Sequence, residues 1–142
     1  MTNVAFYKLA GNEEMMFSLV CSLVNKAFIQ GNHVLCLVPD ESVLKAINSS
    51  LWDFKRNSFI PHDVGSEFTP IAISKTNAAG PHDQILINLQ LAVPSFFSQF
   101  DRVIEIIYQD VNYEQAKREN YRFYKDRGYP LKFHDLSKSF TT

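Results

Sequence analysis

The sequence has little glycine, and its glycines are far apart. The five are Gly11, Gly31, Gly65, Gly80 and Gly128. No two are spaced as in G-x-G-x-x-G, and none begins G-x-x-x-x-G-K-[ST], so the usual phosphate-binding loops of nucleotide enzymes are excluded. Glu13 and Glu14 also follow the first predicted strand, and two carboxylates at that helix start would repel a phosphate.

Cysteine and histidine are also scarce. Cys21 and Cys36 are the two cysteines, and both lie in apolar runs, where a buried thiol is a poor nucleophile. The four histidines, His33, His62, His82 and His134, are scattered, and the Cys and His spacings match no metal-binding pattern. A G-x-S-x-G nucleophile elbow is missing as well. The sequence therefore predicts no catalytic residue, no metal site and no cofactor.

The chain carries no strong charge and no long apolar run. Its net charge is −1 and its pI is about 6.4, so strong direct binding to nucleic acid is not expected. No apolar run approaches the roughly 20 residues that span a bilayer, and residues 1–7 do not resemble a secretion signal. We expect a cytoplasmic, soluble protein with reduced thiols and no membrane partner.

Apolar patterning predicts a single α/β domain over residues 1–142. Nearly continuous apolar strands indicate a mostly parallel sheet that is buried under helices. The predicted strands are 4–9, 33–38, 69–74, 85–89, 102–108 and 129–134; the helices are 13–30, 40–52, 94–100 and 112–127, and 57–67 and 75–82 are loops. Asp40 is placed to cap the second helix, and Gly31 and Gly128 to end the first and last. The alternation predicts an open, mostly parallel, Rossmann-like sheet with helices on both faces.

Residues 51–62 form the first candidate surface. They hold the single tryptophan, Trp52, with Phe59 and Pro61 just beyond a predicted helix. Trp52 is as well explained by partial burial at the edge of the core as by a binding role. Phe59 lies in an extended Ser-X-X-Pro loop, where an aromatic side chain suits a partner's hot spot.

The helix at 112–128 forms the second candidate surface. One arc is predicted to pack on the sheet: Tyr113, Ala116, Asn120, Phe123 and Tyr124. The opposite arc is cationic, carries no acid and surrounds a tyrosine: Lys117, Arg118, Tyr121, Arg122 and Lys125. It is either an ordinary solvated face or a site for an acidic peptide or a phosphate chain, and arginine beside an aromatic ring suits a free carboxylate.

Over essentially its full length the chain resembles the chi subunits of bacterial DNA polymerase III, a family of clamp-loader accessory proteins. The most specific block is Leu51-Trp52 followed by Ser58-Phe59-Ile60-Pro61-His62. Further matches are Val4-Ala5-Phe6-Tyr7-Lys8-Leu9, Gly31-Asn32-His33-Val34-Leu35, Gln84-Ile85-Leu86-Ile87, Arg118-Glu119-Asn120-Tyr121-Arg122 and Arg127-Gly128-Tyr129. Residues 63–83 match little, and Glu114 stands near positions that are often basic in the family.

The resemblance implies two partners. Phe59, with Trp52 and Pro61 nearby, matches the contact with the psi subunit of the clamp loader, a site for which an XPD-like helicase competes in some bacteria. The other implied partner is the C-terminal tail of single-stranded DNA-binding protein, which is acidic and ends Ile-Pro-Phe. Its implied contacts are Arg118, Tyr121 and Ile107, and its aspartates would meet Lys117, Arg122 and Lys125.

The sequence thus predicts a non-enzymatic adaptor between the clamp loader and protein-coated single-stranded DNA. Two alternatives stay open. One is a small-molecule or nucleotide-binding α/β enzyme without the standard phosphate loops. The other is a direct nucleic-acid binder, which the net charge of −1 disfavours.

Overall fold

The computed structural model describes residues 2–53, 62–64, 71–75 and 83–136, and the side chains of all of these except 52, 53 and 62–64. Within these residues, seven strands, three α-helices and one 3₁₀ turn follow one another. They are β1 (Asn3–Lys8), α1 (Glu13–Ile29), β2 (Val34–Leu37), α2 (Glu41–Asp53), β3 (His62–Val64), β4 (Ile71–Ser74), β5 (Ile85–Asn88), the 3₁₀ turn (Phe97–Gln99), β6 (Arg102–Ile107), α3 (Val111–Asp126) and β7 (Leu131–Asp135).

The strands form one sheet in the order β3-β4-β2-β5-β6-β1-β7. Every pairing in it is parallel, which confirms the predicted open parallel α/β sheet. Phe6 of β1 pairs with Glu105 of β6 and with Phe133 of β7. These three side chains therefore lie on the same face of the sheet.

Two apolar cores lie on opposite faces of this sheet. Along β2, Val34 and Cys36 join the core beneath α1 and α2, whereas Leu35 and Leu37 join the core that contains Tyr124 of α3. Because side chains alternate along a strand, strands buried on both faces read as continuous apolar runs. The predicted helices on both faces are confirmed, as is the burial of both cysteines.

Glycine ends two of the helices in the predicted way. Gly31 and Gly128 follow α1 and α3 with φ of 80° and 76°, a conformation that costs a residue with a Cβ. At α3, the Gly128 N–H donates to the Lys125 carbonyl and the Tyr129 N–H donates to the Tyr124 carbonyl. This pair of hydrogen bonds is a Schellman motif. After it the chain returns to the sheet as β7.

One predicted loop contains a strand. Residues 57–67 were expected to be loop, but His62–Val64 pairs with β4 as an edge of the sheet. Three residues that include His62 and Asp63 form no apolar run, so patterning does not detect them.

Asp40 caps α2 as predicted, with its Oδ1 accepting from the Val43 N–H at 2.9 Å. Within the described residues, no helix is both long and apolar enough to cross a membrane.

Candidate peptide-binding site

A cavity of about 780 Å³ opens on the α3 side of the sheet. All six residues that were predicted to hold an acidic tail line it: Ile107, Lys117, Arg118, Tyr121, Arg122 and Lys125. Its other lining residues are Lys8, Glu114, Asp126 and Phe133. We call it the α3 cavity.

The apolar wall of the α3 cavity is held by the core. Ile107 is buried at the end of β6. Tyr121 is half-buried, and its ring stands edge-on to Phe6 with centroids 5.2 Å apart. A ring fixed in this way loses little conformational entropy when a ligand packs against it.

The cationic rim of the α3 cavity is exposed. Arg118, Arg122 and Lys125 project from successive turns of α3 and are open to solvent. None of them forms an ion pair with a carboxylate in the described part of the chain. Their charges are therefore available to an acidic ligand, and each guanidinium offers the fork that binds a carboxylate through two hydrogen bonds.

Lys117 does not belong to this rim, so its predicted place on the exposed arc is wrong. Its side chain is 0% exposed, and its Nζ donates to Glu105 Oε1 at 2.6 Å and to the carbonyls of Asn88 and Gln90 at 3.0 and 2.6 Å. These bonds use all three ammonium protons. Burial lowers the pKa of Lys117, against the opposing effect of Glu105.

The partner carboxylate is equally well satisfied. Glu105 Oε2 accepts from Tyr124 Oη at 2.7 Å and from Asn88 Nδ2 at 3.0 Å. Burial, with Glu105 adding to it, raises the pKa of Tyr124 far above its ordinary value. The network joins α3 to β5, β6 and the turn after β5, and so fixes where the neighbouring Arg118 and Tyr121 stand.

The cavity also contains carboxylates, contrary to the prediction of an acid-free arc. Glu114 lies one turn before Arg118, and Asp126 lies at the end of α3. Predicting the arc from helical angles alone placed Glu114 beside it rather than on it. Acidic ligand groups are favoured near the arginines and disfavoured near these two residues.

Besides these two carboxylates, two further residues of the cavity were not predicted from the sequence. Phe133 of β7 is 49% exposed, and its ring stands edge-on to Tyr121 at 6.2 Å. Lys8 reaches the cavity from the end of β1. The sequence signal for Phe133 was a large apolar side chain in a strand, Leu131–Asp135, that is otherwise mostly polar. The position of β7 in the strand order could not be predicted, and the contact with Tyr121 depends on it.

The first predicted surface is largely outside the described residues. Phe59 and Pro61 fall there, and Trp52 lies in the last turn of α2 without a described side chain. The predicted psi-binding role of these residues stays a prediction. Elsewhere in the described ranges, no group of three His, Cys, Asp or Glu residues is placed to hold a metal ion.

Comparison with known proteins gives a consistent result along the chain. Residues 1–132 match the model of the family described as DNA polymerase III chi subunit, HolC. DNA polymerase III subunit chi of Pseudomonas aeruginosa is 35% identical over 141 residues, which covers 97% of this chain and 99% of the relative. The subunit chi of Haemophilus influenzae is 30% identical over 134 residues, with coverage of 89% and 92%. That of Escherichia coli is 26% identical over 141 residues, with coverage of 92% and 96%.

Proposed function

Since the chain belongs to the chi-subunit family of DNA polymerase III, an accessory family of the replication machinery, we propose that it is a non-catalytic adaptor. It links the clamp loader, through a psi subunit, to the acidic C-terminal tail of single-stranded DNA-binding protein. The observation that carries this proposal is the α3 cavity, in which unpaired arginines stand beside an aromatic and aliphatic wall.

The chemistry of the cavity suits a peptide that ends in an aromatic residue. The terminal carboxylate pairs with the Arg118 guanidinium. The terminal phenylalanine packs against Tyr121 and Ile107, with Phe133 closing the wall. Preceding aspartates meet Arg122 and Lys125, so the ligand's acidic stretch runs along the exposed side of α3.

Repulsion helps to set the register of the ligand. Glu114 and Asp126 line the same cavity as the cations, and an aspartate placed beside either one is disfavoured. Lys117 takes no part in binding, because its ammonium is already saturated by Glu105 and two carbonyls. It acts instead by holding α3.

The clamp-loader side of the adaptor is assigned to Phe59, with Trp52 and Pro61 nearby. The support for this assignment is the match of these residues to the family's psi-contacting block. An XPD-like helicase is a competing ligand for the same residues. The two sets of residues belong to different segments of the sequence, and the proposal requires that both can be occupied at once.

Calorimetry with the acidic tail peptide tests the assignment of the α3 cavity. Arg118→Ala is expected to weaken binding by about 2 kcal/mol, the loss expected of a hot-spot arginine. Lys45→Ala is the matched control, since Lys45 is exposed on α2, away from the cavity. Unchanged affinity in Arg118→Ala would refute the site.

Thermal shift with a panel of nucleotides tests the enzyme alternative. We expect no stabilisation by a nucleotide and a clear rise in melting temperature with the tail peptide, because a ligand stabilises the fold it binds. A shift with a nucleotide and none with the peptide would replace the adaptor by a nucleotide-binding enzyme.

A further inference from the structure

A second cavity lies on the opposite face of the sheet. It has a volume of about 490 Å³ and runs beside α1, over β1, β6 and β7. Its sixteen lining residues include Lys26, Arg102 and Lys132 but neither aspartate nor glutamate. In a chain whose net charge is −1, three cations without an acid make this surface, the α1 groove, locally basic.

The three cations come from different elements and are open to solvent. Lys26 is in the last turn of α1, Arg102 begins β6 and Lys132 is in β7. None of them pairs with a carboxylate among the described residues. The dipole of α1 accounts for a lysine in its last turn, but it does not account for Arg102 or Lys132.

The floor of the α1 groove is mainly aliphatic. Ala5 and Leu23 are half-buried, and Ile104 is buried beneath them. The two rings of the groove, Tyr7 and His134, are stacked on each other with centroids 4.6 Å apart and planes at 20°. Each ring thus covers one face of the other, whereas single-stranded nucleic acid is bound by open aromatic faces. Aliphatic side chains suit this floor better than bases.

We propose that the α1 groove is a second docking site, whose occupant is a short acidic segment of a protein partner. Aliphatic side chains of the segment pack on Ala5 and Leu23, and its carboxylates meet Lys26, Arg102 and Lys132. The sheet separates this groove from the α3 cavity: along β7, Lys132 and His134 line the α1 groove, whereas Phe133 lines the α3 cavity. The two sites therefore have no lining residue in common.

The test is an NMR titration of the full ¹⁵N-labelled chain with the peptide Leu-Glu-Asp-Leu-Glu-Asp-Leu-Glu. The peptide is acetylated and amidated, so it lacks the free carboxylate that the proposed function assigns to Arg118. We expect shifts at Ala5, Leu23 and Lys132, and none from the matched peptide with Gln and Asn in place of Glu and Asp. Lys132→Glu should weaken binding at least about fivefold, as for loss of a close charge pair.

Lys45→Glu makes the same charge change on the exposed face of α2 and should leave the affinity unchanged. Because Lys132 is exposed, Lys132→Glu should keep the dispersed spectrum of the folded chain. Equal binding of the neutral peptide, or shifts confined to Arg118 and Tyr121, would overturn the proposal. Saturable shifts at Ala5 and Leu23 with oligothymidylate but not with the peptide would also overturn it and would assign the groove to nucleic acid. A dimer that Lys132→Glu dissociates would overturn it as well and would assign the groove to a second copy of the chain.

Discussion

Adjacent residues of α3 have opposite roles, which shows how far residue type alone misleads. Lys117 was grouped with Arg118 by charge, yet it lies at the inward spacing of Tyr113, Asn120 and Tyr124, which are all buried. Steps of four, three and four residues define one helical face. The sequence also contained the partner's signal: Glu105 interrupts the apolar run of β6, and a buried carboxylate needs a counter-charge.

Removing the Lys117 ammonium should therefore destabilise the fold strongly. We expect Lys117→Met to lower the free energy of unfolding by about 3–5 kcal/mol, because Glu105 is left buried without its counter-charge. Urea denaturation measures the loss. Arg118→Met, one residue along on the exposed side, should change stability by no more than about 0.5 kcal/mol. Similar values for the two variants would contradict the structural role of Lys117.

Phe133 should contribute to peptide binding rather than to folding. Its ring is half-exposed and edge-on to Tyr121. Phe133→Ala is therefore expected to weaken binding of the tail peptide by about 1 kcal/mol, the contribution of an aromatic pair. Calorimetry gives the affinity and urea denaturation the stability. Val111→Ala is the control, since Val111 is 79% exposed at the start of α3 and lies outside the cavity. A Phe133→Ala variant with wild-type affinity would remove Phe133 from the site.

The buried thiols predict a loss of stability in alkali. Burial raises the pKa of Cys21 from 9.0 to about 11 and that of Cys36 to about 12. Above pH 9 the unfolded thiols lose protons that the folded ones keep, so stability is complete below pH 9 and falls as pH rises towards the folded values. Each thiol adds a slope of about 1.4 kcal/mol per pH unit.

The check is the free energy of unfolding between pH 9 and 11 for the wild type and for a variant with Cys21→Ala and Cys36→Ala. The variant should be less stable than the wild type at pH 8. As pH rises, its free energy of unfolding should fall less steeply, and the difference between the two slopes should be about 2–3 kcal/mol per pH unit. Tyr113 and Tyr124, whose pKa values are raised, and Lys117, whose pKa is lowered, contribute equally to both proteins. If the free energy of unfolding fell equally steeply with pH in both proteins, the burial of the thiols would be contradicted.

Among the elements, the helix ends could be predicted best from the sequence. Gly31 and Gly128 mark the ends of α1 and α3 because each must adopt positive φ. The parallel strands followed from their continuous apolar runs. The strand order did not, because patterning says which residues are buried but not which strands are neighbours; the contact of Phe133 with Tyr121 depends on β7 pairing with β1.

The turn after α3 provides a test of this element. A Cβ at Gly128 meets no atom within 4 Å, so substitution is opposed by backbone conformation and not by a clash. Gly128→Ala should cost about 1–2 kcal/mol, and Gly128→Asn should cost less, since asparagine tolerates positive φ. Urea denaturation of both variants measures the difference. Equal costs would show that positive φ does not govern this helix end.

Considered as one molecule, the chain carries a group of cations on each face of its sheet, although its net charge is −1. The α3 cavity and the α1 groove lie on either side of β7, the last strand of the sheet. Net charge predicted weak bulk attraction to nucleic acid but said nothing about these local cations, because their clustering depends on the fold. The binding of acidic protein segments, rather than of DNA itself, agrees with this distribution.

The decisive measurement is the binding of the chain to single-stranded DNA coated with single-stranded DNA-binding protein, followed by surface plasmon resonance. We expect binding to the intact coat protein and its loss when the coat protein lacks its acidic C-terminal tail. Arg118→Ala should abolish most of the binding, whereas Lys45→Ala should retain it. Equal binding to the intact and tail-less coats, or full binding by Arg118→Ala, would contradict an adaptor that reads the tail through the α3 cavity.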